Sequence, residues 1–366
     1  MSYNILISGG GTGGHIFPAL SIANALKRAL PDANILFVGA ENRMEMERVP
    51  AAGYDITGLP VAGFDRKRLW RNIPVLWKLA KSLIKARGIV RDFKPDIAIG
   101  VGGYASGPIL KEAQRRGVPT LIQEQNSYAG VTNKLLAAGA TRICVAYDGM
   151  ERFFPAEKIT VTGNPVRKVL EENTMHRAEA KKALGFDPER PLLFVTGGSL
   201  GARTVNEAVA AALPSLHRKG IQLLWQTGRY GAEHFQGIAA GYAPDVRATT
   251  FVDDMAMAYR GADLVVARAG ACTISEIQNL GIPAVLIPSP NVAEDHQRHN
   301  AEALASRDAA VMILDADAVA RLGDTVEALM DDAPRREAMG QRAAQMAHRG
   351  ADDRIARIIT EILQKP

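Results

Sequence analysis

"NILISGGGTGGHIFPAL" occupies residues 4–20, and "PLLFVTGGSLGA" at 191–202 repeats its design in the second half of the chain. In each, a short apolar run (Ile5, Leu6, Ile7; Leu192, Leu193, Phe194, Val195) ends in a loop almost without side chains. A helix follows, predicted to begin near Pro18 in the first case. A strand with no polar alternation is covered on both faces, as in a parallel sheet between helical layers. Working outward, apolar runs at 34–40, 96–103, 119–125 and 141–147 alternate with helical periods such as 18–30 and 108–116. After residue 191 the alternation restarts, with runs at 221–228, 263–276 and 283–290. "DIAIGVGGYASGP" (96–108) and "DLVVARAGACTISE" (263–276) are each an Asp, an apolar strand, a small-residue loop and a helix start. The pattern predicts an α/β chain of two doubly wound domains. The expected division is 1–163, 164–340 and a terminal segment 341–366. The join lies in "VTGNPVRKVLEEN" (161–173), where Gly163 and Pro165 interrupt structure. In the tail, Ile355, Ile358, Ile359 and Ile362 recur at helical spacing behind Asp352 as the expected cap, a helix expected to pack back on the first domain.

The bulk numbers fit this. At 366 residues the chain suits about two domains. Apolar residues make up 47%, enough for two cores, and a net charge of +5 favours acidic partners such as phosphates or anionic lipid. The two cysteines, Cys144 and Cys272, sit in no metal-ligand spacing and imply no disulfide framework. A signal-peptide pattern and a run of about 18 apolar residues are both missing from the sequence, so neither export nor a membrane span is expected.

Ligands of open parallel sheets bind beyond the carboxyl ends of the strands, where glycine lets backbone N–H groups approach an anion and the next helix adds its positive end. Residues 9–14, 102–107, 197–201 and 270–276 all have this form. One such loop is also what any tight strand-to-helix turn needs; four in two matched halves point to a phosphate-handling cleft. Gly9, Gly11 and Gly14 satisfy G-x-G-x-x-G, and Glu41 follows the second strand, so a dinucleotide site stays open; no Walker loop is present. A nucleotide sugar fits better. Glu276, one turn into its helix, can accept both hydroxyls of a ribose while the loop N–H groups hold a diphosphate, or it can simply be a first-turn carboxylate.

"GGGTGGHIFPAL", "GGYASGP" (102–108), "EQNSYAGVTNKLL" (124–136), "GNPVR" (163–167), "GGSLGAR" (197–203), "FVDDM" (251–255), "RAGACTISE" (268–276) and "DHQRHNA" (295–301) occur in this order. The ordered set, spanning nearly the whole chain, resembles the MurG family of peptidoglycan N-acetylglucosaminyltransferases. The resemblance implies two Rossmann-like domains facing across a cleft (the GT-B fold), UDP-GlcNAc as donor and undecaprenyl-diphospho-MurNAc-pentapeptide as acceptor. It also implies inverting transfer to the acceptor C4 hydroxyl, without cofactor, metal or nucleic acid. Other partners it implies are an anionic membrane surface and other cell-wall synthesis proteins, with the enzyme peripheral on the cytoplasmic face of the membrane. By position, it places Thr12, Gly13 and Gly14 on the cleft wall, Asn126 and Gln297 on the sugar, and Arg167 and Ser199 near the diphosphate. Val252 is placed on the uracil edge, the run Ala271, Cys272, Thr273, Ile274, Ser275 and Glu276 around the diphosphate and ribose, and Tyr104 and Ser106 toward the acceptor. Leu200 departs from the Gln expected in "GGSQGAR", which removes a side-chain contact but not the backbone cradle. A 2-epimerase of the same architecture and a non-catalytic sugar-nucleotide sensor are the rival readings.

For the chemistry, His15 is the expected base, since imidazole titrates near neutrality; the alternative is a histidine bonded only to loop carbonyls or a phosphate. His296 and His299 flank Gln297 and are poorer candidates. "DAD" at 315–317 is expected to cap a helix rather than hold a metal. Segment 64–94 carries ten Lys and Arg against Asp65 and Asp92, with Leu69, Trp70, Ile73, Leu76, Trp77, Leu83 and Ile84 at helical spacing. Leu76, Leu79 and Leu83 are expected in the core. Leu69, Trp70, Ile73 and Trp77 are expected against lipid.

Overall fold

The computed structural model describes residues 2–11, 13–61, 73–198 and 200–364, without the side chains of Ile73, Pro74, Leu76 and Ala293. The chain forms two units, Met1–Val166 with His348–Pro366, and Arg167–Ala347. The first runs β1 (Asn4–Ser8), α1 (Gly13–Ala29), β2 (Asn34–Ala40), α2 (Glu45–Ala51), β3 (Asp55–Leu59), α3 (Ile73–Phe93), β4 (Ile97–Gly100), α4 (Ser106–Arg115), β5 (Thr120–Glu124), α5 (Val131–Leu136), β6 (Arg142–Val145) and β7 (Ile159–Val161). The second runs α6 (Lys168–Glu172), α7 (Arg177–Ala183), β8 (Leu192–Thr196), α8 (Arg203–Arg218), β9 (Gln222–Gln226), α9 (Ala232–Ala240), β10 (Val246–Thr249), α10 (Met255–Gly261), β11 (Leu264–Ala267), α11 (Ala271–Leu280), β12 (Ala284–Leu286), α12 (His296–Ala305), β13 (Val311–Met312), α13 (Ala318–Asp331) and α14 (Ala333–Gln345). The last helix, α15 (Ala351–Leu363), returns to the first unit.

Both sheets are parallel throughout their described strands. The orders are β3-β2-β1-β4-β5-β6-β7 and β10-β9-β8-β11-β12-β13. Each winds outward from its first strand in one direction and then in the other, so each has a switch point, at β1/β4 and at β8/β11. The apolar runs that opened the reading are the buried centres: Ile5, Leu6 and Ile7 in one sheet, Leu192 to Val195 in the other. α1 covers β1 with Ala19, Ile22, Ala23 and Leu26, and Ile355, Ala356 and Ile359 of α15 join the same core.

Several local expectations need correcting. α1 starts at Gly13, five residues before the expected Pro18. Pro18 lies inside the helix, where it forfeits one backbone hydrogen bond, and Gly13, Gly14 and His15 supply the first turn. The segment drawn from 341 is two elements, because α14 runs on to Gln345 in the second unit and Gly350, at φ +67°, opens α15. Gly350 is also the N-cap of α15. Asp352 lies inside that helix and pairs with Arg28 of α1 at 2.9 Å.

α3 departs furthest. Among its described side chains the buried ones are Ser82, Ala86 and Val90, spaced four apart, and the Ser82 hydroxyl donates to the Lys78 and Pro60 carbonyls. Leu79 and Leu83, expected in the core, are 40% and 42% exposed, with Trp77 at 67% and Ile84 at 70%. The row Ser82, Ala86 and Val90 forms the buried face, and Trp77, Leu79, Leu83 and Ile84 fall outside it. Leu69 and Trp70 lie outside the described residues, as does the side chain of Ile73.

Candidate functional site

The strand orders decide which glycine loops meet. The β1/β4 switch point brings residues 9–11 against 101–105, and the β8/β11 switch point brings Gly197 and Gly198, after Thr196, beside the loop that follows Ala267; these are the crevices where such sheets bind ligands.

In the first unit, His15 sits in the first turn of α1 with Nδ1 3.1 Å from the Gly10 carbonyl oxygen. A carbonyl only accepts, so this bond requires the proton on Nδ1; in the neutral ring Nε2 then carries the lone pair. The glycines of "GGYASG" serve close packing as much as any ligand. A methyl group on Gly102 would lie 2.9 Å from His15 Cδ2 and Nε2, and one on Gly103 would lie 2.4 Å from the Gly10 oxygen. Tyr104, next in the loop, is 57% exposed. Ser106, expected to face the acceptor, is instead fully buried, its hydroxyl set between the Ser8 and Gly102 carbonyls, where it ties α4 to β1. Thr12 lies outside the described residues, and Gly13 and Gly14 begin α1.

Two buried carboxylates organise this rim: Glu124 opens the "EQN" motif, though no role is expected for it, and Glu45 lies in no motif. Glu45, fully buried at the start of α2, accepts the Gly11 N–H at 3.0 and 3.1 Å and the Ala40 N–H at 3.0 Å. Glu124, at the end of β5, accepts the Asn126 backbone N–H at 3.0 Å and side-chain amide at 3.2 Å, the Gly130 N–H at 3.0 Å and the Asn133 amide at 2.8 Å. It thereby fixes the side chain of Asn126.

In the second unit, Gly270 precedes α11, so the N–H groups of Ala271, Cys272 and Thr273 form the first turn, at the positive end of the helix. Ile274 is fully buried and Ser275 nearly so; of this run they offer backbone rather than side chain. The structure brings together two residues expected at separate parts of the donor. Arg167 holds Glu276 Oε1 through Nη2 at 2.8 Å and Nε at 3.1 Å. Tyr259, which sequence reasoning missed, donates its hydroxyl to Glu276 Oε2 at 3.0 Å and packs edge-on against Phe194. Burial pushes the Glu276 carboxyl above its usual range, against the pull of Arg167 and Tyr259. Burial and the neighbouring Glu276 push the Cys272 thiol up to about 12.

Gln297, at the start of α12, accepts the Ser289 N–H at 2.9 Å, which orients its amide. Val252 is buried in the turn before α10. Leu200 points to solvent, and Ser199 lies outside the described residues. Asp315 of "DAD" is not a cap: its carboxylate accepts from Arg268 and from Thr204 of α8. Asp317 occupies the cap position of α13 without a side-chain cap bond.

The N-terminal domain of glycosyltransferase family 28 matches residues 5–145 and its C-terminal domain matches 192–355. A Parabacteroides distasonis protein called UDP-N-acetylglucosamine–N-acetylmuramyl-(pentapeptide) pyrophosphoryl-undecaprenol N-acetylglucosamine transferase is 55% identical, over 99% of both chains. A Cytophaga hutchinsonii protein of the same name is 49% identical, over 99% of this chain and 97% of its own. Among solved structures, Acinetobacter baumannii MurG superposes with a TM-score of 0.77 at 28% identity, covering 98% of this chain and 99% of its own. A Listeria monocytogenes protein described as a putative UDP-N-acetylglucosamine 2-epimerase reaches a TM-score of 0.73 at 12% identity, covering 100% of this chain and 98% of its own; that likeness shows the fold alone.

Proposed function

Because the chain belongs to glycosyltransferase family 28, and within it to the MurG family, we propose that it transfers GlcNAc from UDP-GlcNAc to the C4 hydroxyl of undecaprenyl-diphospho-MurNAc-pentapeptide, with inversion. The observation that carries this reading is the 55% identity along 99% of both chains to a relative named for that transfer. In a single displacement, the acceptor C4 oxygen bonds to the anomeric carbon as the bond from that carbon to the diphosphate oxygen breaks. The C4 hydroxyl proton passes to His15 Nε2, the nitrogen that the Nδ1–Gly10 bond leaves basic. UDP departs with the electron pair. The N–H groups of Ala271 to Thr273 at the start of α11 stabilise its charge, with Arg167 beside them on Glu276. Glu276 accepts the ribose hydroxyls, and Asn126 and Gln297 read the sugar.

Incubation with UDP-GlcNAc, with and without a lipid I analogue, tests the reaction. UDP release that requires the acceptor, with a new β-1,4-linked GlcNAc on it, is the expected result. Acceptor-independent formation of a 2-epimer, or binding with no turnover, would replace this reading by one of its rivals.

We further infer that α3 seats the protein on the cytoplasmic face of an anionic membrane. No helix among the described residues is long and apolar enough to cross one. α3 instead exposes Trp77 and Ile84 among Lys78, Lys81 and Lys85, with Lys81 Nζ 5.4 Å from the Trp77 ring centre. Each large apolar side chain is worth about 1.5–3 kcal/mol when buried. The Trp77→Ser/Ile84→Ser variant is therefore expected to bind phosphatidylglycerol vesicles at least about tenfold more weakly. Unchanged flotation would remove α3 from the contact.

A further inference from the structure

We infer that Glu45 is a positioning residue for His15, acting through one peptide unit; the inference rests on the reading of His15 as the base. The Gly10 carbonyl that accepts the His15 Nδ1–H and the Gly11 N–H that donates to Glu45 are the two ends of the same peptide bond. A trans peptide is planar, with its N–H and C=O pointing in opposite directions, so fixing one end aims the other. The carboxylate does more than aim it. A negative charge on the N–H side draws the peptide dipole toward itself, leaves the Gly10 oxygen a stronger acceptor, and so holds the imidazole proton on Nδ1. Acidic partners that hold a histidine's second nitrogen commonly set its tautomer and raise its basicity by direct contact; here one peptide stands between.

The fit around Glu45 is specific. It is fully buried, and its Oε1 also accepts the Ala40 N–H at the end of β2. A methyl group on Gly10 would lie 2.0 Å from that oxygen, and one on Gly39 would lie 2.6 Å from its Cγ. Two glycines on adjacent strand ends thus make room for one carboxylate. The arrangement also reassigns part of the "GGGTGG" loop: the Gly11 N–H serves an internal anion, the Glu45 carboxylate, and not a phosphate.

The test uses the full-length protein carrying ¹⁵N-labelled histidine, with the His15 resonances assigned by their loss in His15→Ala. In the wild type, His15 is expected as the Nδ1–H tautomer across neutral pH. Glu45→Gln keeps the size but loses the charge, and turns an NH2 toward N–H groups. It is expected to mix the tautomers, lower the His15 pKa, and reduce kcat about 10–100-fold with KM for UDP-GlcNAc unchanged. The acid limb of the kcat pH profile should move down with the ring pKa. An Nε2–H tautomer in the wild-type protein overturns the proposal whether or not the variant folds. So does a folded Glu45→Gln protein with wild-type tautomer, ring pKa and kcat. If His15→Ala keeps its turnover, the base assignment fails by itself, while a tautomer change in Glu45→Gln still establishes the coupling.

Discussion

His15→Ala is expected to lower kcat for lipid-acceptor glycosylation by about 10²–10⁴-fold, the usual span for loss of a positioned general base, with KM for UDP-GlcNAc close to the wild-type value. The split follows from where the residues lie. His15 is held in the first unit, by Gly10 and against Gly102. The groups proposed for the nucleotide (Arg167, the start of α11, Glu276) are in the second. Removing the imidazole deletes a proton acceptor and leaves the donor's contacts in place, so the loss belongs to the chemical step. Near-normal turnover by a folded His15→Ala protein would mean that Nε2 takes no proton and that the ring serves only the packing of the 9–11 and 101–105 loops.

What the sequence made legible, and what it hid, divides along physical lines. The central strands were plain because burial on both faces demands continuous apolar runs such as Ile5–Ile7 and Leu264–Ala267. The strands passed over were β3, β7, β10 and β13, and these are the four sheet edges. "DITGL", "ITV", "VRAT" and "VM" are short or mixed because an edge is covered less completely. Glycine loops stand out in any reading; which pairs meet follows only from strand order. Glu45 and Tyr259 are hidden in the sequence because each acts on a group remote in the chain, the Gly11 N–H and Glu276; Glu124 lies only two residues from Asn126, but a buried carboxylate bonded to backbone N–H groups leaves no pattern of residue types. α3 misled for a related reason. By its largest apolar residues the periodicity points Leu79 and Leu83 inward, whereas the fold buries Ser82, Ala86 and Val90.

Glu276→Gln carries the other large effect, on the donor side. The carboxylate already accepts from Arg167 on one oxygen and from Tyr259 on the other, and its remaining lone pairs are the acceptors we propose for the ribose. A hydrogen bond to a charged group is worth about 1.5–3 kcal/mol, so the neutral amide is expected to raise KM for UDP-GlcNAc about 10–100-fold with little change in kcat. The pH dependence carries an independent signature. Burial raises the Glu276 pKa despite Arg167, so the wild-type carboxylate takes up a proton at a pH above the ordinary carboxylate range and loses acceptors there. KM of the wild type should therefore climb on the acid side, while that of Glu276→Gln stays flat. Stability runs the opposite way. A carboxyl whose pKa is higher folded than unfolded contributes stability that is fully present below the unfolded pKa and lost as pH rises through the folded one. Measured without donor, the Tm of the wild type minus that of Glu276→Gln should accordingly shrink as pH rises above the ordinary carboxylate pKa. An unchanged KM in the folded variant would take the ribose away from Glu276 and leave the carboxylate as the anchor of Arg167 alone.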